Sequence, residues 1–217
     1  MNKRKIYQFL RDLSENNSKE WMDENRERYH EAKEIWLEEI SNILKRLSKH
    51  DAHFTRIKPK DTIMRINNNR MFHPDRPVYK DNFGFSPPDM EGGTLYLHVS
   101  PKESWIGGGL YRPDNDILKS IRAAIDYDGE KLLEIIHADS FQDFFGGLTE
   151  DDQKLKTSPQ GYTQDHRHIE LMRRKNFAAI HPLTQKEVVG DDLVDIVERA
   201  YLELKPLNDY FERALLV

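Results

Sequence analysis

The residues best suited to chemistry in this 217-residue chain are cationic. Arg65, Arg70 and Lys80 fall in a stretch, Arg56 to Lys80, that carries seven basic and two acidic residues. Arginine presents a planar fork of donors matched to carboxylate or phosphate oxygens, and lysine adds a compact point charge. These three residues form the first candidate site, for a small phosphate- or carboxylate-bearing ligand. The competing reading is internal ion pairing with the stretch Asp126 to Gln153, where nine acidic residues face one basic residue. The sequence leaves both open.

A second candidate is Gly107-Gly108-Gly109, with Arg112 just beyond. Three glycines allow positive φ and bring bare backbone N–H groups close to a ligand. The alternative is a tight crossing in which another backbone packs against them. The run fits neither the Walker A pattern nor GxGxxG. His98 lies on the same face of a predicted strand as Tyr96 and is the one candidate for a general acid or base. Asp165, His166 and His168 have metal-binding side chains. Positions i and i+2 diverge on a helix and would converge only on an extended segment, and no His-Glu-x-x-His pattern exists, so no metal or other cofactor is expected. There is no Gly-x-Ser-x-Gly elbow. Phe72, Tyr79, Phe83 and Phe85, interleaved with Arg70, Arg76 and Lys80, could stack on single-stranded bases, or simply pack in a core.

The elements that must position these residues follow from periodicity. Ile6, Phe9, Leu10 and Leu13 predict a short first helix. Trp21, Asn25, Tyr29, Ala32, Trp36, Ile40, Ile43 and Leu47 predict one long helix from about Lys19 to Ser48, a rod of roughly 45 Å. Asn17 or Ser18 is placed to cap it. Short strands are expected at Phe54 to Ile57, Ile63 to Ile66 and Phe83 to Ser86. Leu95, Leu97 and Val99 alternate with polar partners and pair with Ser104 to Tyr111 as an antiparallel hairpin. Asn67 to Pro77 reads as an ordered surface loop. Helices follow at Ile117 to Ile125 and Leu132 to Ile136, broken at Asp128-Gly129, and another at Asp165 to Arg174. Phe141 to Leu148 is ambiguous and ends at Gly146-Gly147. Lys175 to Ile180 reads as a strand. A last amphipathic helix begins at Leu193 and is expected to break at Pro206.

Composition bounds the rest. Cysteine is absent, which excludes a disulfide scaffold, a thiolate zinc site and a thiol nucleophile. The 22 aromatic residues argue for a folded core. The net charge of −5 argues against nucleic acid or an anionic membrane as a partner, and no apolar run is long enough to span a bilayer. Met1 to Lys5 is polar and basic without an apolar stretch behind it, so a cytoplasmic location is expected. Oligomeric state is not legible.

Several motifs together resemble the domain of unknown function 2461 family. They are Arg65 to Phe72, Asp75-Arg76-Pro77-Val78-Tyr79-Lys80, Tyr96-x-His98, Pro101, the glycine run with Pro113, Leu155-Lys156, Pro159-x-Gly161-Tyr162, Asp165-His166 and Leu171. Phe9-Leu10, Asn16-Asn17, Trp21 and Tyr29 extend the resemblance over nearly the whole chain. Asn69 departs from it, since the family carries an acidic residue there. As a catalytic group that acid would be missing from this chain, which would count against an enzyme; as an ion-pair partner it would occupy an arginine, which Asn69 leaves freer. The family name implies no reaction, so no catalytic role transfers. Helices, then strands, then helices make an α+β fold. The expectation is a single domain, residues 1–217, with a mixed, largely antiparallel sheet from about residue 54 to 111 covered by the N-terminal and C-terminal helices. The leading expectation for function is a small-anion site. A nucleic-acid module or a partner-binding scaffold, with the long helix as its surface, is the alternative.

Overall fold

Apolar side chains at helical spacing build the first helices, and polar side chains end them. The computed structural model describes every residue except Met1, Phe72, Asp89, Glu91, Gly92 and Val217. Its helices are α1 (Arg4–Glu15), α2 (Lys19–Glu24), α3 (Arg26–Leu47), α4 (Asn115–Ile136), α5 (Asp139–Phe145), α6 (Ile169–Met172), α7 (Gln185–Val189) and α8 (Leu193–Leu215). Its strands are β1 (Phe83–Phe85), β2 (Thr94–Val99), β3 (Ser104–Leu110) and β4 (Phe177–Leu183). They form one antiparallel sheet in the order β1-β2-β3-β4, and the fold class is α+β. In the first pair Phe83 lies opposite Val99 and Phe85 opposite Leu97.

Four expectations need correction. The long helix from Lys19 divides at Asn25, whose backbone leaves the helical region (φ −107°, ψ 18°) and whose amide donates to the Trp21 carbonyl at 2.9 Å. The Asn25 backbone N–H donates to the same carbonyl at 3.0 Å, so the side chain caps the end of α2 with a second donor, as asparagine readily does. Phe54 to Ile57 is no strand: Ala52–Arg56 winds into a 3₁₀ turn, started by the Asp51 carboxylate accepting from the His53 N–H at 2.8 Å. Ile63 to Ile66 forms no strand either, and the sheet takes its fourth strand from Phe177–Leu183. Finally, α8 runs through Pro206 without ending. Pro206 is exposed beside the exposed Leu202, so water can solvate the carbonyl its missing N–H leaves free, while Leu204, Leu207 and Phe211 keep the opposite face buried.

By its internal contacts the chain divides into two units, each assembled from separated segments. The first holds residues 1–88, 96–106 and 182–199. Its core comprises Ile6, Phe9, Leu10 and Leu13 of α1, Trp36, Ile40 and Ile43 of α3, and Phe85, Leu97 and Val99 of the sheet. Polar bonds fix the helices to the strands: the Tyr7 and Ser104 hydroxyls are 2.7 Å apart, and Trp36 Nε1 donates to the Gly84 carbonyl at 3.2 Å. Lys3 and Glu39 form an ion pair at 2.9 Å with both side chains about nine-tenths buried.

The second unit holds residues 89–95, 107–181 and 200–217. Here α4 bends at Asp128 (φ −140°, ψ 46°), the break expected at Asp128-Gly129. The Tyr210 hydroxyl donates to the Asp128 carbonyl at 3.3 Å and holds the bend. Gly146, left-handed at φ 70°, ends α5.

Candidate functional site

The basic segment of the first unit folds back on itself as a narrow hairpin. Asn67 bridges Tyr79 antiparallel, the Asn68 N–H donates to the Val78 carbonyl at 3.0 Å, and the Lys80 N–H donates to the Ile66 carbonyl at 2.7 Å. Asn17 pins this ladder from outside. Its amide donates to the Tyr79 carbonyl at 2.9 Å and accepts the Tyr79 N–H at 2.8 Å, mimicking a strand partner. Asn17 is thus a hairpin anchor, and Ser18 is the cap of α2.

The three predicted cations occupy this hairpin, held by carbonyls. Lys80 Nζ donates to the Arg65 carbonyl at 2.6 Å. Arg70 forks its Nε and Nη2 onto the Pro74 carbonyl at 3.3 and 2.9 Å. The Arg65 and Arg70 side chains are exposed and Lys80 is half-buried. Among the described residues none of the three meets a carboxylate within ion-pair distance. Burial pushes the Lys80 ammonium below its ordinary value of 10.5.

The proposed stacking rings do not form a platform: Tyr79, Phe83 and Phe85 are buried in the core, and Phe72 lies outside the described residues. Gly107, Gly108, Gly109 and Arg112 belong to the second unit. A Cβ on Gly107 would stand 2.4 Å from the Ala179 carbonyl oxygen, and one on Gly108 2.0 Å from that of Thr94. Gly109, at φ 90°, places its own Cβ direction 2.4 Å from the Phe177 carbonyl. Neighbouring backbone fills the space these glycines leave. Arg112 lies over the Tyr111 ring at 5.1 Å and 3.8 Å from the Asp152 carboxylate. Both side chains are exposed, and such pairs contribute about 0–1 kcal/mol.

His98 stacks on Trp105 with ring centres 5.3 Å apart and planes 8° from parallel. Its Nδ1 lies 3.5 Å from the Asn82 amide, and Tyr96 lies on the same face. Burial holds the imidazole below its ordinary 6.5, against the opposing pull of Glu103 and Asp81. The folded chain therefore takes up this proton less readily than the unfolded one. Stability that depends on a neutral His98 is present above 6.5 and is lost as the pH falls through and below that value. We expect His98→Gln to flatten the loss of thermal stability between pH 7 and about pH 5. Melting curves across that range check this, and an unchanged slope would assign the acid sensitivity elsewhere.

In the second unit His166 and His168, singled out in the sequence, join a polar cluster whose other members, from α4, the sequence did not indicate. The helix expected from Asp165 starts only at Ile169, which leaves His166 and His168 outside it. His166 Nδ1 accepts the His168 N–H at 3.1 Å, and Nε2 faces the Asp126 carboxylate at 2.9 Å. An acceptor role at Nδ1 places the hydrogen on Nε2, so His166 has no free lone pair and acts as a strut. Arg122 donates through Nε to the Met172 carbonyl at 2.9 Å, and burial lowers its pKa. Its Nη2 is buried without a partner, as are both ring nitrogens of His168, the nearer of which lies 3.6 Å from the Glu130 carboxylate. The motif Gly161-Tyr162 with Asp165-His166 was a visible signal, but nothing in it pointed to Arg122 or Asp126.

No helix of the described residues is long and apolar enough to cross a membrane. A family model described as conserved hypothetical protein (DUF2461) matches residues 5–210. No curated protein and no solved structure matches the chain.

Proposed function

Since the chain belongs to the DUF2461 family, whose name assigns no reaction, we propose from its own geometry that it binds a small phosphate- or carboxylate-bearing metabolite at the basic hairpin through Arg65, Arg70 and Lys80. One observation carries this reading. The half-buried Lys80 ammonium is satisfied by a carbonyl and has no carboxylate within ion-pair distance among the described residues, and the same is true of Arg70. A partly desolvated cation without an anion is costly, and a bound anion offsets that cost. Asn17 and the ladder also hold the Tyr79 and Lys80 backbone in place by hydrogen bonds, and such preorganisation favours binding. Gly107, Gly108, Gly109 and Arg112 are not needed for it.

The test is a thermal-shift panel of phosphate, nucleotides, sugar phosphates, dicarboxylates and short oligonucleotides at two salt concentrations. At about 100 times Kd, one anion class should add about 2.7 kcal/mol of stability. The gain should vanish in a folded Arg65→Ala/Lys80→Met variant. A bound anion favours the ammonium, so the stabilisation should also fade as the pH rises through the lowered Lys80 value toward 10.5. No shift in wild type for any anion would overturn the reading. A steep salt dependence with oligonucleotides alone would replace it with nucleic-acid binding.

A partner-binding scaffold is the second reading, favoured by Met64 and Met71, which are 49% and 83% exposed beside these arginines. Flexible thioethers next to cations suit a protein partner. A stable complex weakened by Met71→Ser, with no anion response, would favour it.

A further inference from the structure

In the second unit a groove of about 750 Å³ opens between α4 and the last turns of α8. Its size falls within the range of small-molecule sites. Ala123, Ala124 and Ala214 keep its walls low, and Tyr127 stands beside them with 89% of its surface in water. Tyr210 forms the inner end. Its hydroxyl is spent on the Asp128 carbonyl, and burial chiefly pushes its pKa up to about 12. Asp128 and Arg213 both act electrostatically on that hydroxyl, so a carboxylate and a guanidinium share this end of the groove. Asp116 and Lys119 add one further charge of each sign to the lining. Among the described residues none of these four charges forms an ion pair.

We infer that this groove binds a small zwitterion with an apolar or aromatic body, of the chemistry of a short apolar peptide. The carboxylate sits at Arg213, the ammonium at Asp128, and the apolar body lies against Tyr127, Ala123 and Ala124. Charge complementarity selects this occupant. Two acids and two bases cancel over the groove, so a ligand with a net charge gains from one pair and is repelled by the other, whereas a zwitterion satisfies both signs. An exposed tyrosine ring offers a flat apolar face that requires little ordering to receive a side chain. The site is independent of the basic hairpin and of the anion reading placed there.

The probe is the dipeptide Phe-Phe in three forms: free, N-acetylated and C-amidated. Binding is followed by titration calorimetry and by Tyr127 fluorescence in a Tyr127→Phe comparison. The free form should bind with Kd on the order of 1 mM or tighter, and each blocked form about tenfold more weakly. Asp128→Asn should abolish the preference for the free ammonium, and Arg213→Gln the preference for the free carboxylate. The three wild-type titrations decide the matter even where a variant fails to fold. Equal affinity for the three forms, or no saturable binding, overturns the inference. So does a concentration-dependent dimer that Ala124→Trp abolishes, which would assign the groove to a second copy of the chain.

Discussion

Replacing Gly108 by alanine should abolish the native fold or destabilise it by about 3 kcal/mol or more. The new methyl group would stand 2.0 Å from the Thr94 carbonyl oxygen, 2.6 Å from a Leu204 methyl and 3.0 Å from the Thr94 carbonyl carbon. The leucine can turn aside. The carbonyl belongs to the backbone of β2 and can yield only if the strand moves. Gly146→Ala is the control that separates space from backbone conformation. Gly146 has φ 70° and nothing within 4 Å of its Cβ direction, so its cost should be the left-handed backbone alone, about 1–2 kcal/mol. Melting temperature and soluble yield compare the two variants. Gly108 itself has no positive φ, so equal effects would mean that β2 yields to the methyl group at little cost. A folded Gly108→Ala protein of nearly native stability would rule out so close a contact.

Trp36→Ala should cost about 3–5 kcal/mol, a fall in Tm on the order of 10 °C for a chain of this length. The indole is 1% exposed within the core of the first unit, and its N–H supplies a bond to the Gly84 carbonyl at 3.2 Å. Two losses combine in the alanine variant, a cavity and an unsatisfied buried acceptor. Trp36→Phe separates them: it keeps most of the ring volume and removes the donor, so it should lose about 1–3 kcal/mol. Chemical denaturation with a constant m-value reads both losses as stability. If phenylalanine costs as much as alanine, the hydrogen bond to Gly84 outweighs the packing; if it costs nothing, the bond contributes little.

The same contrast between local and distant causes separates what could be read in the chain from what could not. Ile6, Phe9, Leu10 and Leu13 face one core, and Leu95, Leu97 and Val99 lie buried in alternation, because helix and strand periodicities are properties of neighbouring residues. The break at Asp128-Gly129 was visible for the same reason, and so was the stop at Gly146. Asn25 misled because its place in the helical pattern looked ordinary, whereas its backbone leaves the helical region and its amide caps the Trp21 carbonyl. Pro206 misled in the opposite direction. Burial of Leu204, Leu207 and Phe211 on one face outweighed one missing backbone bond on the exposed face.

The sequence by itself determined the α+β class, the family, the cationic character of the Arg56 to Lys80 segment and the presence of a special backbone at Gly107 to Gly109. Each depends on residue type or short-range order, which the chain carries before it folds. Only the tertiary structure decided which partners the cations meet. Arg112 finds the Asp152 carboxylate, while Lys80 and Arg70 find carbonyls. It also decided that Asn17 anchors Tyr79 from 62 residues away and that Arg122 is brought to the Met172 carbonyl 50 residues further on. The physical reason is that charge and hydrogen-bonding capacity belong to a side chain, but compensation of a charge belongs to a distance, and distances between remote residues exist only once the core has closed.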